Sequence, residues 1–456
     1  MSVEYRKRSD SMRKIIFLLM GMVFCGMLSA CEGKPNQRTP SPQETTITEE
    51  ATETTAPPET TAPIQTTTTI TMESETETLA TEAITLAVEQ SSLENSNPYE
   101  MPPEPDSVRA VAFSEYQSPL TWRQTLSGDA LTLYDEIYDG FMNYQTMIPA
   151  KVDPDEVNID RIADYVLEDH PEIFWYEYNH QWYPLNFTVG FSNPETKRDN
   201  MLRMELQNRI PFEQLDVARE ELKNKVAQIL SYIPENASAD EKVLFVHDYL
   251  VKYCVAADNA EIYYNAYDCL IGRNCMCNGY TKAFTLLMNQ LNIPAGQVLG
   301  DIGEYHTWNY VVLDGNYYWL DITLDDNGIY EGLPPNFVNH NYYCVTDAQL
   351  FKNHTLDYGN SLFVPQCIDN DRNYFRTHNA FVETYHFDEV NQMMQENTVE
   401  GCTQLQFSSP EQLQLAINDL FSQNSILETE FIKGKNAYWR YAHDDMLTLI
   451  IDAYNK

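Results

Sequence analysis

The sequence predicts an α+β protein with a small α/β appendage at its C-terminal end, and three observations lead there. Two aromatic and β-branched runs, Tyr305 to Leu313 and Asn316 to Thr323, flank Asp314-Gly315. Asp-Gly is a strong hairpin signal, because a type I′ turn needs positive φ at both central residues. Apolar stripes at helical spacing surround that hairpin, one of them opened by the capping box Ser238-Ala239-Asp240-Glu241. Beyond about Val364 the pattern changes to short strands alternating with short helices.

The first segment reads as an address rather than as part of a fold. Arg13 and Lys14 precede an apolar run from Ile15 to Leu28, too short to span a bilayer comfortably and of signal-peptide proportions. It ends in Leu28-Ser29-Ala30-Cys31, small residues followed by a cysteine suited to receive a lipid. Residues 1–30 are therefore expected to be a bacterial lipoprotein signal peptide and Cys31 the lipidated residue. The protein is then exported and anchored to the outer face of the cytoplasmic membrane, at the cell surface. An ordinary secretory signal with an incidental cysteine is the alternative.

Residues 31–106 are dominated by Thr, Glu, Pro and Ser, with few large apolar side chains. Such a stretch cannot bury enough apolar surface to offset chain entropy and is expected to be a disordered tether. As a coil of roughly 75 residues it reaches on the order of 45–50 Å. The net charge of −39 argues against nucleic acid as a partner, since phosphate binding needs the opposite sign.

The remaining chain reads as globular. Leu131, Tyr134, Ile137, Tyr138 and Phe141 mark one helix, and Ile159, Ile162 and Val166 a second. Phe174-Trp175-Tyr176 and Trp182-Tyr183 read as strands, and Phe212 to Tyr232 as a long helix. The capping box starts a helix carrying Val243, Val246, His247 and Leu250, with His247 read as a packing residue. In the appendage, Phe387 to Gln395 reads as helix and Leu405-Gln406-Phe407 as strand. Ser409-Pro410 reads as an N-cap with proline at the first helical position, and strands follow near Ala437 and Met446.

The candidate chemistry lies in Cys277, His306 and Asp321. Cys277 precedes Phe284, Leu287 and Leu291, one stripe of a helix that Pro294 ends. A thiol at a helix N-terminus meets unpaired amides and the favourable end of the macrodipole, worth roughly 0.3–1 kcal/mol to a thiolate. The two-residue turn pairs Leu313 with Asn316, which sets Trp308 opposite Asp321 and His306 opposite Thr323. His306, Trp308 and Asp321 then share a sheet face, with Asp321 diagonal to His306. A slip of one residue would separate them. An imidazole beside the thiol, oriented by a carboxylate, is the arrangement that activates a cysteine nucleophile. Cys254, Cys269, Cys275, Cys344, Cys367 and Cys402 form an even set besides Cys277, free or paired, with connectivity open. Metal at Cys275-Met276-Cys277 is the weaker reading because no second ligand pair follows, and no cofactor is expected. Asp325-Asp326 reads as turn-shaping rather than cation-binding.

Asp240 to Asp347 resembles the transglutaminase-like superfamily, particularly its exported bacterial members. The resemblance rests on Cys277-Asn278-Gly279-Tyr280, His306-Thr307-Trp308-Asn309, Leu313-Asp314-Gly315, Trp319-Leu320-Asp321-Ile322-Thr323 and Tyr342-Tyr343-Cys344-Val345-Thr346-Asp347. It implies a papain-like core in which the nucleophile helix packs on an antiparallel sheet. It divides the module into an N-terminal extension (107–235), a core (236–363) and an appendage of unknown role (364–456). It further implies amide hydrolysis or acyl transfer through a thioester on Cys277, with Tyr280, Trp308 and Asn309 expected in the substrate cleft. Peptide or protein substrates follow, with cell-wall peptides among the candidates for a surface enzyme. A surface module that binds peptide or glycan in an aromatic cleft, without catalysis, is the competing expectation.

Overall fold

The computed structural model describes residues 43–46, 122–189, 195–256, 264–326, 333–334, 336–359 and 361–455. The expected signal peptide, Cys31 and most of the expected tether lie outside the described residues. Within the tether stretch, β1 (Gln43–Thr46) pairs antiparallel with the segment from Ala437 to Arg440. Backbone pairing along a sheet edge needs no buried side chain, so composition did not point to it. Among the described residues no helix is long and apolar enough to cross a membrane.

The first layer is α1 (Gly128–Met142), β2 (Met147–Ala150), α2 (Ile159–Asp169), β3 (Tyr176–Val189), β4 (Glu195–Leu206) and α3 (Leu215–Ser231). The three strands form one antiparallel sheet in the order β2-β4-β3. The expected helical stripe is realised in α1, which buries Leu133, Tyr134, Ile137, Tyr138 and Phe141. Asn158 caps α2 by accepting from the Arg161 amide.

Next come α4 (Ala239–Tyr253), the short parallel pair β5 (Val255–Ala256) and β6 (Asn274–Cys275), and α5 (Cys277–Gln290). The capping box of α4 closes as expected: Ser238 N donates to Glu241 at 2.7 Å and Glu241 N donates to Ser238 Oγ at 3.2 Å. The central sheet is built from β7 (Ala295–Asp301), β8 (Tyr305–Leu313), β9 (Asn316–Leu320), β10 (Tyr343–Val345) and β11 (Thr355–Leu356). Its order is β10-β9-β8-β7-β11, antiparallel throughout. Leu313 pairs with Asn316, and both turn residues have positive φ (Asp314 50°, Gly315 84°), as a type I′ turn requires.

The hairpin differs from expectation at its far end. Pairing stops at Asn309–Leu320, so β9 does not run on to Thr323. Asp321 instead caps the one-turn helix α6 (Ile322–Asp325), accepting from the Leu324 amide at 3.0 Å. An Asp that can satisfy an orphan helix amide competes with the ladder, and here the cap wins.

The central sheet is buried on both faces. Thr307 and Asn309 turn to α5, while Trp308 and Tyr310 join a second cluster with Trp319, Tyr342 and Val345. Alternation along β8 thus serves two packed faces, the polar Thr307 and Asn309 meeting α5 and the aromatic Trp308 and Tyr310 the second cluster. After α7 (Asp347–Leu350) and α8 (Tyr374–Thr377), the C-terminal part contains β12 (Phe381–Val382), α9 (Phe387–Glu396) and β13 (Cys402–Phe407). It continues with α10 (Pro410–Ile417), β14 (Ala437–His443) and β15 (Thr448–Tyr454). They make a sheet in the order β1-β14-β15-β13-β12 with its own core around Val390, Leu405 and Leu449. The described chain is α+β, with helices packed on antiparallel sheets.

Candidate active site

Three features of local sequence put Cys277 where it is. Met276 is extended (φ −89°, ψ −179°), so the helix begins abruptly at the cysteine. Gly279 and Tyr280 donate to the Met276 carbonyl at 2.8 and 3.2 Å, closing the first turn. Gly279 must be glycine: a Cβ there would sit 2.5 Å from the Cβ of Cys275 and 2.9 Å from its sulfur. Any side chain would lift the first turn of α5 off β6.

The structure brings Cys277, His306 and Asp321 together. His306 Nε2 lies 2.7 Å from Asp321 Oδ2, with the carboxylate fully buried and the imidazole nearly so. That leaves Nδ1 for the thiol, and the Cys277 side chain lies against His306 and the backbone amide of Thr307, both of which favour its thiolate. Cys277 is 8% exposed, enough for a reagent to reach and too little for bulk water to screen.

Electrostatics follow from this burial. Burial pushes the Cys277 thiol up, but the hydrogen bond and charge of His306 outweigh it and hold the thiol below its ordinary value. Burial lowers His306, yet the Asp321 carboxylate beside it and the thiol bond raise it to about 10. Asp321 is itself opposed by burial but held well below the usual carboxylate range by His306 and a second imidazole, His354. The imidazolium and carboxylate thus stand in line with a thiol whose ionisation they favour.

His354 was not found from sequence. It follows α7, is 1% exposed, and places Nε2 3.0 Å from the same Asp321 oxygen. From it a line of side chains leads into the C-terminal part. His354 Nδ1 meets Asn353 Oδ1 at 2.7 Å, and Asn353 Nδ2 donates to Tyr342 Oη at 2.7 Å. His443 Nδ1 accepts from the Met446 amide, so its Nε2 carries hydrogen and donates to Tyr342 Oη at 3.1 Å. The carboxylate opposite His306 is therefore tied to β14, across 101 residues between Tyr342 and His443.

The three expected cleft residues lie elsewhere. Tyr280 and Trp308 are 0% exposed and Asn309 1%. Tyr280 donates to Asp326, Trp308 packs edge-on to Trp319, and Asn309 donates to the Thr281 and Gly296 carbonyls. They hold α5 to the sheet and line no cleft; strand aromatics on a sheet buried from both sides pack inward. A cavity of about 200 Å³ is lined by Asp164, Leu167 and Glu168 of α2 with Lys282, Gln297, Leu299, Tyr305 and Leu362; Cys277 does not line it. Gln297 meets Thr281, which meets Thr307, the residue whose amide holds the thiol. Burial raises the Glu168 carboxyl to about 7 against the Gln297 amide that it accepts, and burial lowers the Lys282 ammonium.

Among the described residues, two groups of imidazoles and a carboxylate have metal-like proximity: His306, Asp321 and His354, and His247, Asp248 and His340. The donor chemistry of the second does not fit a metal. Gln404 accepts from the His340 amide through Oε1 and donates through Nε2 to the Val338 carbonyl and to His340 Nδ1. His340 Nε2 consequently bears the hydrogen, which it gives to Asp248 at 2.9 Å, and is closed to ligation. His247 is wholly buried between Asp248 (2.9 Å) and Asp325 (3.1 Å); burial opposes its charge, but the two carboxylates raise it to about 9. Asp325 and Asp326 are thus internal hydrogen-bond acceptors, Asp326 taking the Ala256 amide, rather than turn residues facing solvent.

The family model of the transglutaminase-like superfamily matches residues 225–324, which include Cys277, His306 and Asp321. No curated protein matches the chain. Among solved structures, similarity is found to a TGase at 14% identity and TM-score 0.22, over 33% of this chain and 45% of that one. A candidate cysteine protease from Cytophaga hutchinsonii is similar at 13% identity and TM-score 0.20, over 43% and 85%. A candidate protease from Parabacteroides distasonis is similar at 10% identity and TM-score 0.19, over 31% and 37%. The chain spans less than half the length of the first and third of these structures. The thiol, imidazole and carboxylate described above stand within a transglutaminase-like superfamily domain.

Proposed function

We propose that the protein is a cell-surface enzyme that cleaves or transfers amide bonds through a thioester on Cys277, with His306 and Asp321 as its catalytic partners. The observation that carries this reading is the buried line from Asp321 Oδ2 to His306 Nε2 at 2.7 Å, and on to the thiol. The Cys277 thiolate attacks the carbonyl carbon, and the negative charge moves to the carbonyl oxygen. The Cys277 amide, at the open start of α5, is placed to donate to that oxygen. His306 gives its proton to the departing amine, the C–N bond breaks and the thioester remains. Water or a primary amine, deprotonated by His306, then attacks the thioester and frees the thiol. Asp321 keeps His306 oriented and stabilises its charge throughout.

The cavity lined by Asp164, Glu168, Lys282 and Gln297 with Leu167, Leu299 and Leu362 offers both polar and apolar groups to a peptide. Peptide or protein substrates, cell-wall peptides among them, fit the expected export. The residues expected to form the competing aromatic cleft, Tyr280, Trp308 and Asn309, are buried.

The test uses the purified chain with fluorescein-casein and a fluorescent primary amine. Release of labelled fragments reports hydrolysis, and amine incorporation reports transfer. Either activity is expected, and it should disappear in Cys277→Ala. Activity that survives this substitution refutes the assignment.

A further inference from the structure

Three thiols outside the proposed chemistry meet beneath the first turn of α5. Cys254 ends α4, Cys269 lies in the π-helical turn Asp268–Gly272, and Cys275 lies in β6. All three are buried. Cys269 Sγ is 3.4 Å from Cys254 Sγ, and Cys254 Sγ also approaches the Cys269 carbonyl at 3.3 Å. Cys275 touches Cys269 from the other side and supports Gly279. The backbones bearing these sulfurs are held together independently of them: Val255 pairs with Asn274 and Ala256 with Cys275, and Arg273 donates to the Tyr253 carbonyl at 2.8 Å.

We propose that Cys254 and Cys269 are a covalent modification site, the two thiols closing into a disulfide in the mature protein, with Cys275 left reduced under Gly279. The sulfurs need to approach by roughly 1.4 Å to reach bonding distance, within the range of side-chain adjustment. The oxidant is a disulfide, either a small molecule or a thiol oxidoreductase. One cysteine thiolate attacks it, forming a mixed disulfide and releasing one thiol. The second cysteine attacks the mixed disulfide, forms the Cys254–Cys269 bond and releases the other thiol. Two protein thiols lose two electrons, and the oxidant's disulfide gains them with two protons. Burial and their mutual contact push both thiols well above ordinary values in the folded state, so they are poor nucleophiles there. Exchange therefore occurs before the fold closes, and the finished bond is sheltered from reductants.

The occurrence of this bond in the cell rests on the export reading, because persistent disulfides belong to oxidising compartments. The geometry is tested apart from location by refolding the full chain from denaturant with oxidised and reduced glutathione. Free thiols are then alkylated in denaturant, and unreduced peptides are mapped by mass spectrometry. The expected result is one linked peptide pair joining Cys254 to Cys269, with Cys275 and Cys277 alkylated. Protein refolded in dithiothreitol should melt several degrees below protein refolded with oxidised and reduced glutathione, in this chain and in Cys344→Ser, but not in Cys254→Ser. Alkylation of both Cys254 and Cys269, or a Cys269–Cys275 link, overturns the proposal. Failure of export alone leaves the refolding result unchanged.

Discussion

Asp321→Asn is the substitution whose consequence is best defined by the structure. It keeps the shape of the side chain and its ability to accept from the Leu324 amide, but removes the charge 2.7 Å from His306. His306 stands at about 10, against roughly 6.5 for a free histidine, so the raised affinity is about 3.5 pH units, or about 5 kcal/mol as an upper bound. Without the carboxylate, burial acts on His306 unopposed, and its pKa should fall to or below the ordinary value. Cys277 then loses its imidazolium partner near neutrality, and its own burial drives the thiol upward. A thiol at about 8.5 is roughly one part in 300 thiolate at pH 6, partly offset, by about tenfold, by the greater nucleophilicity of a more basic thiolate. Allowing also for incomplete ionisation of the wild-type thiol at that pH, the net expectation is a fall of up to about tenfold in the rate of Cys277 alkylation by iodoacetamide at pH 6, read by site-resolved mass spectrometry. The sign also sets the window. A raised histidine contributes stability fully present below about pH 6.5 and lost as pH rises through about 10, so wild type and variant should differ most at acidic to neutral pH. A variant profile that overlays the wild-type profile would refute the charge-stabilised pair.

The remaining predictions concern the supports of the site. His354→Ala removes a hydrogen bond to the charged Asp321 and should cost about 1.5–3 kcal/mol in urea unfolding. His443→Ala, at the outer end of the same line, should cost no more than about 1.5 kcal/mol, and equal effects from the two would contradict the proposed gradient. Gly279→Ala forces a Cβ within 2.5 Å of Cys275 and should destabilise by about 1–3 kcal/mol while slowing Cys277 labelling; unchanged melting and labelling would exclude the close packing. Gln404→Leu strands the Val338 carbonyl and the His340 amide, at about 1–3 kcal/mol for each group, and a smaller loss in denaturant titration of the full chain would count against that pairing.

What local sequence made legible is what local physics decides. The Asp314-Gly315 turn selected the Leu313–Asn316 register because positive φ at two consecutive residues admits few alternatives. The capping box at Ser238 and the start of α5 at Cys277 follow from hydrogen bonds that close within four residues. The same reasoning carried β9 too far, because alternation alone does not show that Asp321 will leave the ladder to cap α6. It also placed Tyr280, Trp308 and Asn309 in a cleft, since a motif names residues that lie near a site without telling which way each side chain faces.

The sequence by itself determined the α+β class, the hairpin register and the helix starts. It also singled out the three residues that meet at Cys277, because turn geometry and capping act over a few residues. Only the tertiary structure decided that His354 shares Asp321 with His306, and that Tyr342 and Asn353 lead on to His443 in β14. It alone brought Gln404 of β13 against His340, and Cys254 against Cys269. Those contacts join residues separated by 11 to 101 positions. They depend on which layers pack together and on which buried polar groups must then find partners, which no short stretch of sequence specifies.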